Sequence, residues 1–258
     1  MLKHKAVAIF FTTILAILAI ASLFVAIEIG YAVIVIFVWF IVVLYGSTFI
    51  FSNYHVHAYC SNPLETEKKI AITFDDGPSP NTTLILEVLE KYQVKAAFFC
   101  IGQQVEKHPE IVRKLISENH IIANHSYEHS SFFDFLRRDS VIEELRKTDA
   151  LIEKYLGKKP QFFRPPYGVT NPSIRRALEV TKHKVIGWNI RSLDGIIKNE
   201  KFIYKRIIKR VKPGAIILMH DTTFETVQVL EQLLLFLEKN KYEVVPIDQL
   251  LNLKAYEN

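Results

Sequence analysis

The chain has 258 residues, half of them apolar, with a formal net charge of +5 at pH 7. Acidic and basic residues are interspersed, and no basic run suggests a grip on nucleic acid. Two cysteines carry little: Cys60 lies beside the apolar N-terminal segment, and Cys100 sits in an apolar run where a buried, inert thiol is expected.

From Ala6 to Phe51 the sole charge is Glu28. Residues 6–27 and 32–51 each reach the roughly 20 residues that cross a bilayer as a helix. "EIGY" (28–31) reads as the turn between them, with Gly30 for the bend and Tyr31 at headgroup depth. "AIAS" (19–22) imitates a signal-peptide cleavage site, but the apolar run is far longer than a signal core. Two retained transmembrane helices are therefore expected. A buried soluble pair is the weakest reading, because neither stretch has a polar face. Residues 1–52 are read as a membrane anchor, 53–67 as a linker and 68–258 as the water-soluble domain.

Beyond the linker, apolar runs predict strands at 69–74, 96–102, 121–124, 161–164, 184–189, 215–220 and 243–247. Apolar residues at helical spacing fill 82–93, 109–119 and 140–156, with Asn81 and Ser140 as expected N-caps and Gly157 as a stop. Seven strands alternating with helices predict a parallel sheet covered by helices, most simply a closed barrel. A doubly wound open sheet shows the same alternation.

The unusual residues collect at the C-terminal ends of those strands, where parallel barrels build active sites. Asp75 and Asp76 follow the first strand, and His125 and His129 follow the third. Arg164 ends the fourth, Asp194 lies past the fifth, and His220 closes the sixth. Alone, H-x-x-x-H is a weak signal, and two solvated histidines are the ordinary explanation. With a carboxylate added, two imidazoles make three protein ligands with positions left open, as in a catalytic zinc site. A non-haem Fe(II) centre uses the same ligand set. One aspartate completes it, leaving the other to act as a base whose charge the cation offsets. Neighbouring residues of a strand point to opposite faces, so the Gly77-Pro78 turn is expected to re-aim one of the pair. Arg164, held extended by the prolines after it, suits a fixed clamp on a carboxylate. His220 on the same rim reads as a general acid, and the histidines at 4, 55, 57, 108, 120 and 183 as interfacial or solvated.

Together "TFDDGP" (73–78), "HSYEH" (125–129), "RPPYG" (164–168), "RSLDG" (191–195) and "LMH" (218–220) resemble the polysaccharide deacetylase family, in order and spacing, over about residues 68–252. The resemblance implies an irregular (β/α)7 barrel, here preceded by two N-terminal transmembrane helices. It implies a hydrolase that removes N-acetyl groups from amino sugars of a polysaccharide or glycolipid, with Asp75 as base. Asp76, His125 and His129 would hold one divalent metal, Zn2+ being expected. It further implies that Arg164 positions Asp75, that the Tyr167 N–H helps hold the oxyanion, and that His220 is the acid, tuned by Asp194. Leu218 would line the acetyl pocket, with Pro165 and Trp188 beside it. Gly195 stands where the family often has tryptophan after the aspartate, which opens one wall of the groove.

The expected partners are an N-acetylated glycan or glycolipid and membrane lipid, without nucleic acid or a protein partner. The expected location is the cell membrane, multi-pass. Lys3 and Lys5 before the first helix and Lys68 and Lys69 after the second make both flanks compatible with the cytoplasm. Wall polysaccharide lies outside, so the side stays open. A hydrolase of some other acyl amide and a non-catalytic carbohydrate-binding barrel are the rival readings.

Overall fold

The computed structural model describes residues 3–257. Two helices come first, α1 (His4–Ala21) and α2 (Ile29–Thr48). Both are long and apolar enough to cross a bilayer. They pack against each other through Val7 and Phe11 on one side and Val35, Trp39, Val42 and Val43 on the other, with Phe11 stacked on Trp39. Most of their remaining apolar surface is bare, including Ile9, Phe10, Ile34 and Phe37.

Nine strands follow: β1 (Ala58–Tyr59), β2 (Lys69–Asp75), β3 (Ala97–Cys100), β4 (Ile121–Asn124), β5 (Phe162–Phe163), β6 (Lys184–Ile186), β7 (Ile190–Arg191), β8 (Ala215–His220) and β9 (Glu243–Val244). Around them lie α3 (Pro80–Lys91), α4 (Gly102–Lys107), α5 (Pro109–Ser117), α6 (Arg138–Leu156), α7 (Pro172–Thr181), α8 (Glu200–Ile208), α9 (Phe224–Lys239) and α10 (Ile247–Leu251). Every pairing between named strands is parallel, in the order β1-β6-β5-β4-β3-β2-β8-β7, with β9 also on β2. The two ends of that order meet because β6 and β7 are one strand interrupted at Gly187–Asn189. Its first half pairs with β5 and its second with β8. The seven expected strands are all present, the fifth being the interrupted one, and the sheet curls into an irregular parallel α/β barrel.

The linker is not free-standing. Its residues Ala58 and Tyr59 pair with Val185 and Ile186, and Ser61 bridges Ala215, so the connecting chain fills the gap between β6 and the start of β8. A two-residue strand offers too little alternation to be read from sequence. Two expected caps also move. Ser79 caps α3 in a capping box with Thr82, because Pro80 takes the first helical position, so Asn81 lies inside the helix. The sixth helix starts at Arg138, ahead of Ser140. Gly157 does stop it, at φ 73°.

Alternation along β2 sends Ile70, Ile72 and Phe74 outward to the helices and leaves Ala71, Thr73 and Asp75 facing the barrel interior. On β8, Leu218 and His220 share the inner face. The register sets Asp75 opposite His220 and Thr73 opposite Leu218. The small inner residues of β2 leave room at the barrel mouth for a guanidinium. That group is Arg164, wholly buried and lying 4.0 Å from the Phe99 ring centroid.

Candidate active site

At the C-terminal mouth a cavity of about 240 Å³ is walled by Asp75, Asp76, His125, His129, Tyr167, Trp188, Leu218 and His220, with Arg191, Leu193, Ile196 and Thr222 on its far side. The question posed by two adjacent carboxylates has a backbone answer. β2 ends at Asp75, and Asp76 itself adopts a left-handed conformation at φ 74°, so both side chains turn into the same cavity. His129 (φ 53°), Tyr167 (φ 58°) and Leu193 (φ 69°) are left-handed too, a concentration of costly backbone at one mouth.

Asp76, His125 and His129 converge. Asp76 Oδ1 lies 3.4 Å from Nε2 of both histidines, and the three donor atoms fall within 4.8 Å of one another. Ligands about 2.0–2.1 Å from one tetrahedral ion stand about 3.3 Å apart, so the two separations from Asp76 fit a shared cation. His125 Nδ1 donates to the Arg164 carbonyl at 2.7 Å, which leaves the Nε2 lone pair for an ion. Burial, reinforced by His125, pulls His129 down to about 4, so its imidazole is neutral and free to ligate. Burial works against charge on Asp76, yet the hydrogen bond and charge of His125, with His129 and His220, hold its carboxyl well below the usual range. Burial also opposes charge on His125, and Asp75 and Asp76 outweigh it to raise that imidazole.

Asp75 is held by a buried clamp. Arg164 donates through one terminal nitrogen to Asp75 Oδ1 at 2.6 Å and Thr73 Oγ1 at 2.9 Å, and through its other nitrogens to the Ile186 and Gly187 carbonyls at 3.0 Å. Asp75 Oδ2 stays 3.8 Å from His125 Nε2, facing the triad. Across the cavity, His220 Nδ1 donates to Asp194 Oδ1 at 2.7 Å. Asp194 also accepts from the His220 and Gly195 amides and from the Ser192 and Thr226 hydroxyls, an arrangement that fixes it completely. Burial lowers His220, but the Asp194 hydrogen bond and charge, with Asp75 and Asp76 beyond, push it up to about 9.

The expected residues are thus brought together with one exception. Pro165 is buried behind the wall, its carbonyl accepting from Gly168, and does not line the cavity. Trp188, Leu218 and Tyr167 do line it, the Tyr167 ring 4.9 Å from that of His129. Three histidines read as interfacial or solvated are buried: His55 bonds the Ser47 hydroxyl, His120 accepts from the Ala96 amide, and His183 bonds Asp149. Asp149 in turn accepts from Asn124, whose Oδ1 receives the Ser126 amide, so this group braces the turn that carries His125. Sequence reading missed Arg191, whose Nε is buried without a partner and which pairs with no carboxylate among the described residues. Its place in the "RSLDG" string was the available signal.

Comparison with known proteins agrees with this geometry. Residues 64–186 match the family described as polysaccharide deacetylase. The chain is 33% identical over 187 residues to the peptidoglycan-N-acetylglucosamine deacetylase PgdA of Listeria monocytogenes, covering 72% of this chain and 39% of that one. It therefore spans about two fifths of that relative's length. It is also 33% identical over 199 residues to a peptidoglycan-N-acetylglucosamine deacetylase of Bacillus cereus, covering 73% of this chain and 90% of that one. Among solved structures, the Bc1960 peptidoglycan N-acetylglucosamine deacetylase superposes with a TM-score of 0.71 at 28% identity, over 78% of this chain and 95% of that one. The chain belongs to the polysaccharide deacetylase family.

Proposed function

We propose that the protein hydrolyses N-acetyl groups from amino sugars of a glycan, releasing acetate and a free amine. Residues 68–258 are the catalytic unit in this reading, and 1–52 hold it at a membrane. Asp76, His125 and His129 would hold one divalent ion, with Zn2+ the choice that fits two imidazoles and a carboxylate. Such an ion supplies a Lewis acid for the amide carbonyl.

The chain's own groups divide the proton work. Asp75, immobilised by Arg164, takes a proton from the attacking water. His220, charged at neutral pH and directed by Asp194, gives a proton to the departing nitrogen. Leu218 and Trp188, which line the cavity, would wall off the acetyl methyl, and the Tyr167 amide would take the oxyanion role. The observation that carries the reading is the pairing of an Arg-clamped carboxylate with an Asp-clamped imidazole on opposite sides of one ligand triad. A sugar-binding barrel has no use for two separately clamped proton carriers.

The test is acetate release from a panel of N-acetylated glycans and glycolipids, with chelator and with zinc restored. Asp75→Asn should lose at least about 10²-fold in rate. Activity within about tenfold of the parent would end the proposal, and cleavage of other amides alone would move it to a non-sugar acyl amide.

A further inference from the structure

Two groups of exposed aromatic side chains, one at the end of α2 and one in the turn after His129, make up an aromatic strip. Tyr45, Phe49 and Phe51 cluster at the helix end, their ring centroids 4.9–6.4 Å apart, each about half exposed. Ser47 accepts from the Thr170 amide at 2.9 Å, and Asn171 donates to the Asp134 carbonyl at 2.6 Å. These bonds join the helix end to the turn at 132–135. In that turn Phe133 is wholly buried with Ile50 in one apolar cluster, while Phe132 and Phe135 are 71% and 82% exposed. The same turn follows His129 by three residues. On another loop of the mouth Ile196 is 74% exposed, and Phe224, the first residue of α9, is 56% exposed.

Single exposed apolar residues are ordinary, but aromatic groups on segments tied to one another by hydrogen bonds mark a contact surface. Its continuity with the end of an apolar helix names the occupant. Lys3 and Lys5 begin α1 at this same end, since the His4 amide donates to the Tyr54 carbonyl, and neither joins an ion pair among the described residues. Cations beside a half-exposed aromatic cluster suit the headgroup layer of an anionic bilayer.

We infer that the turn at 132–135 dips into the bilayer and sets the cavity mouth at the lipid surface, so that the substrate is an N-acetylated sugar carried on a lipid. This rests on the deacetylase reading and narrows it. The chemistry is unchanged: water adds to the amide, the C–N bond breaks, acetate leaves, and the amine stays on the lipid-borne sugar.

The experiment uses the full chain in vesicles of phosphatidylcholine with phosphatidylglycerol. In a Cys60→Ser background, Phe135→Cys carries a polarity-sensitive fluorophore. Emission should shift to the blue on reconstitution and be quenched by brominated lipid. Separately, F132S/F135S should release acetate from a soluble N-acetylglucosamine oligosaccharide within about twofold of the parent. From an N-acetylglucosaminyl lipid in vesicles it should fall about tenfold or more, since two buried Phe rings are lost from the contact.

Water-like emission in vesicles, or equal rates of the variant on both substrates, overturns the inference. Burial of the label already in detergent, together with a larger oligomer, assigns the strip to a second copy and also overturns it. If the parent cleaves neither substrate, the deacetylase reading itself fails, whatever the label reports.

Discussion

Arg164→Met isolates the value of the buried clamp. The change removes four hydrogen bonds, to Asp75, Thr73 and the Ile186 and Gly187 carbonyls, from a site with no solvent exposure. Asp75, its side chain 4% exposed, loses its clamp and keeps only His125 Nε2 at 3.8 Å. Breaking one partner from a buried ion pair costs about 3–5 kcal/mol. At about 2–4 °C per kcal/mol for a domain of this size, the melting temperature should fall by roughly 6–20 °C. The double variant Arg164→Met/Asp75→Asn removes the orphaned charge and should regain a large part of that loss, while acetate release stays absent. The assay is thermal unfolding of the detergent-solubilised full chain in chelator, so that no cation compensates Asp75. A double variant that melts no higher than Arg164→Met would show that the charge on Asp75 is not what the clamp stabilises, and the reasoning would be wrong.

Other expectations follow from the same geometry. His220 sits above its ordinary value, so its charged form is favoured, present at neutral pH and lost as pH rises through about 9; the rate should decline on that alkaline limb. Asp194→Asn removes the group that raises it, so a pH–rate profile should show the limb moved toward the ordinary imidazole value of about 6.5. Chelator should abolish acetate release, and His129→Ala should weaken zinc binding by tenfold or more, on the order of a lost ligand, measured by competition with a coloured chelator. Gly168→Ala forces a Cβ at φ 72° into the Trp188 ring, so it should raise KM more than it lowers kcat if Trp188 is a wall alone. Gly77→Ala should lower both stability and rate, because its Cβ would collide with the Asp221 carboxylate beneath the turn that aims Asp76.

Much of this site was legible in the sequence because its residues stand at strand ends or in the turns just past them. Asp75, His125, Arg164 and His220 are anchored by apolar runs long enough to read, and the parallel register does the rest. What escaped depends on contacts between distant segments. The left-handed conformation falls on Asp76, while the adjacent Gly77 is needed for a different reason, the Asp221 carboxylate packed against it. Burial of His183 requires Asp149 from another helix, and no local pattern announces that pair. The break at Gly187–Asn189 is likewise invisible locally: Gly187 is flat against Ile50 and Cys60, and Asn189 trades its own side chain for a ladder bond to Ile216.

The connecting chain between helix and barrel holds a last consequence. Fully extended, the 15 residues 53–67 would reach about 50 Å, enough for a loose leash. Instead Ala58–Tyr59 are stitched into the barrel wall and Ile50 is sunk beside them, so the leash has been reeled in to a stiff neck. In the proposed membrane-held reading the head would work at one fixed height, and trimming its neck to free it would open a seam along β6.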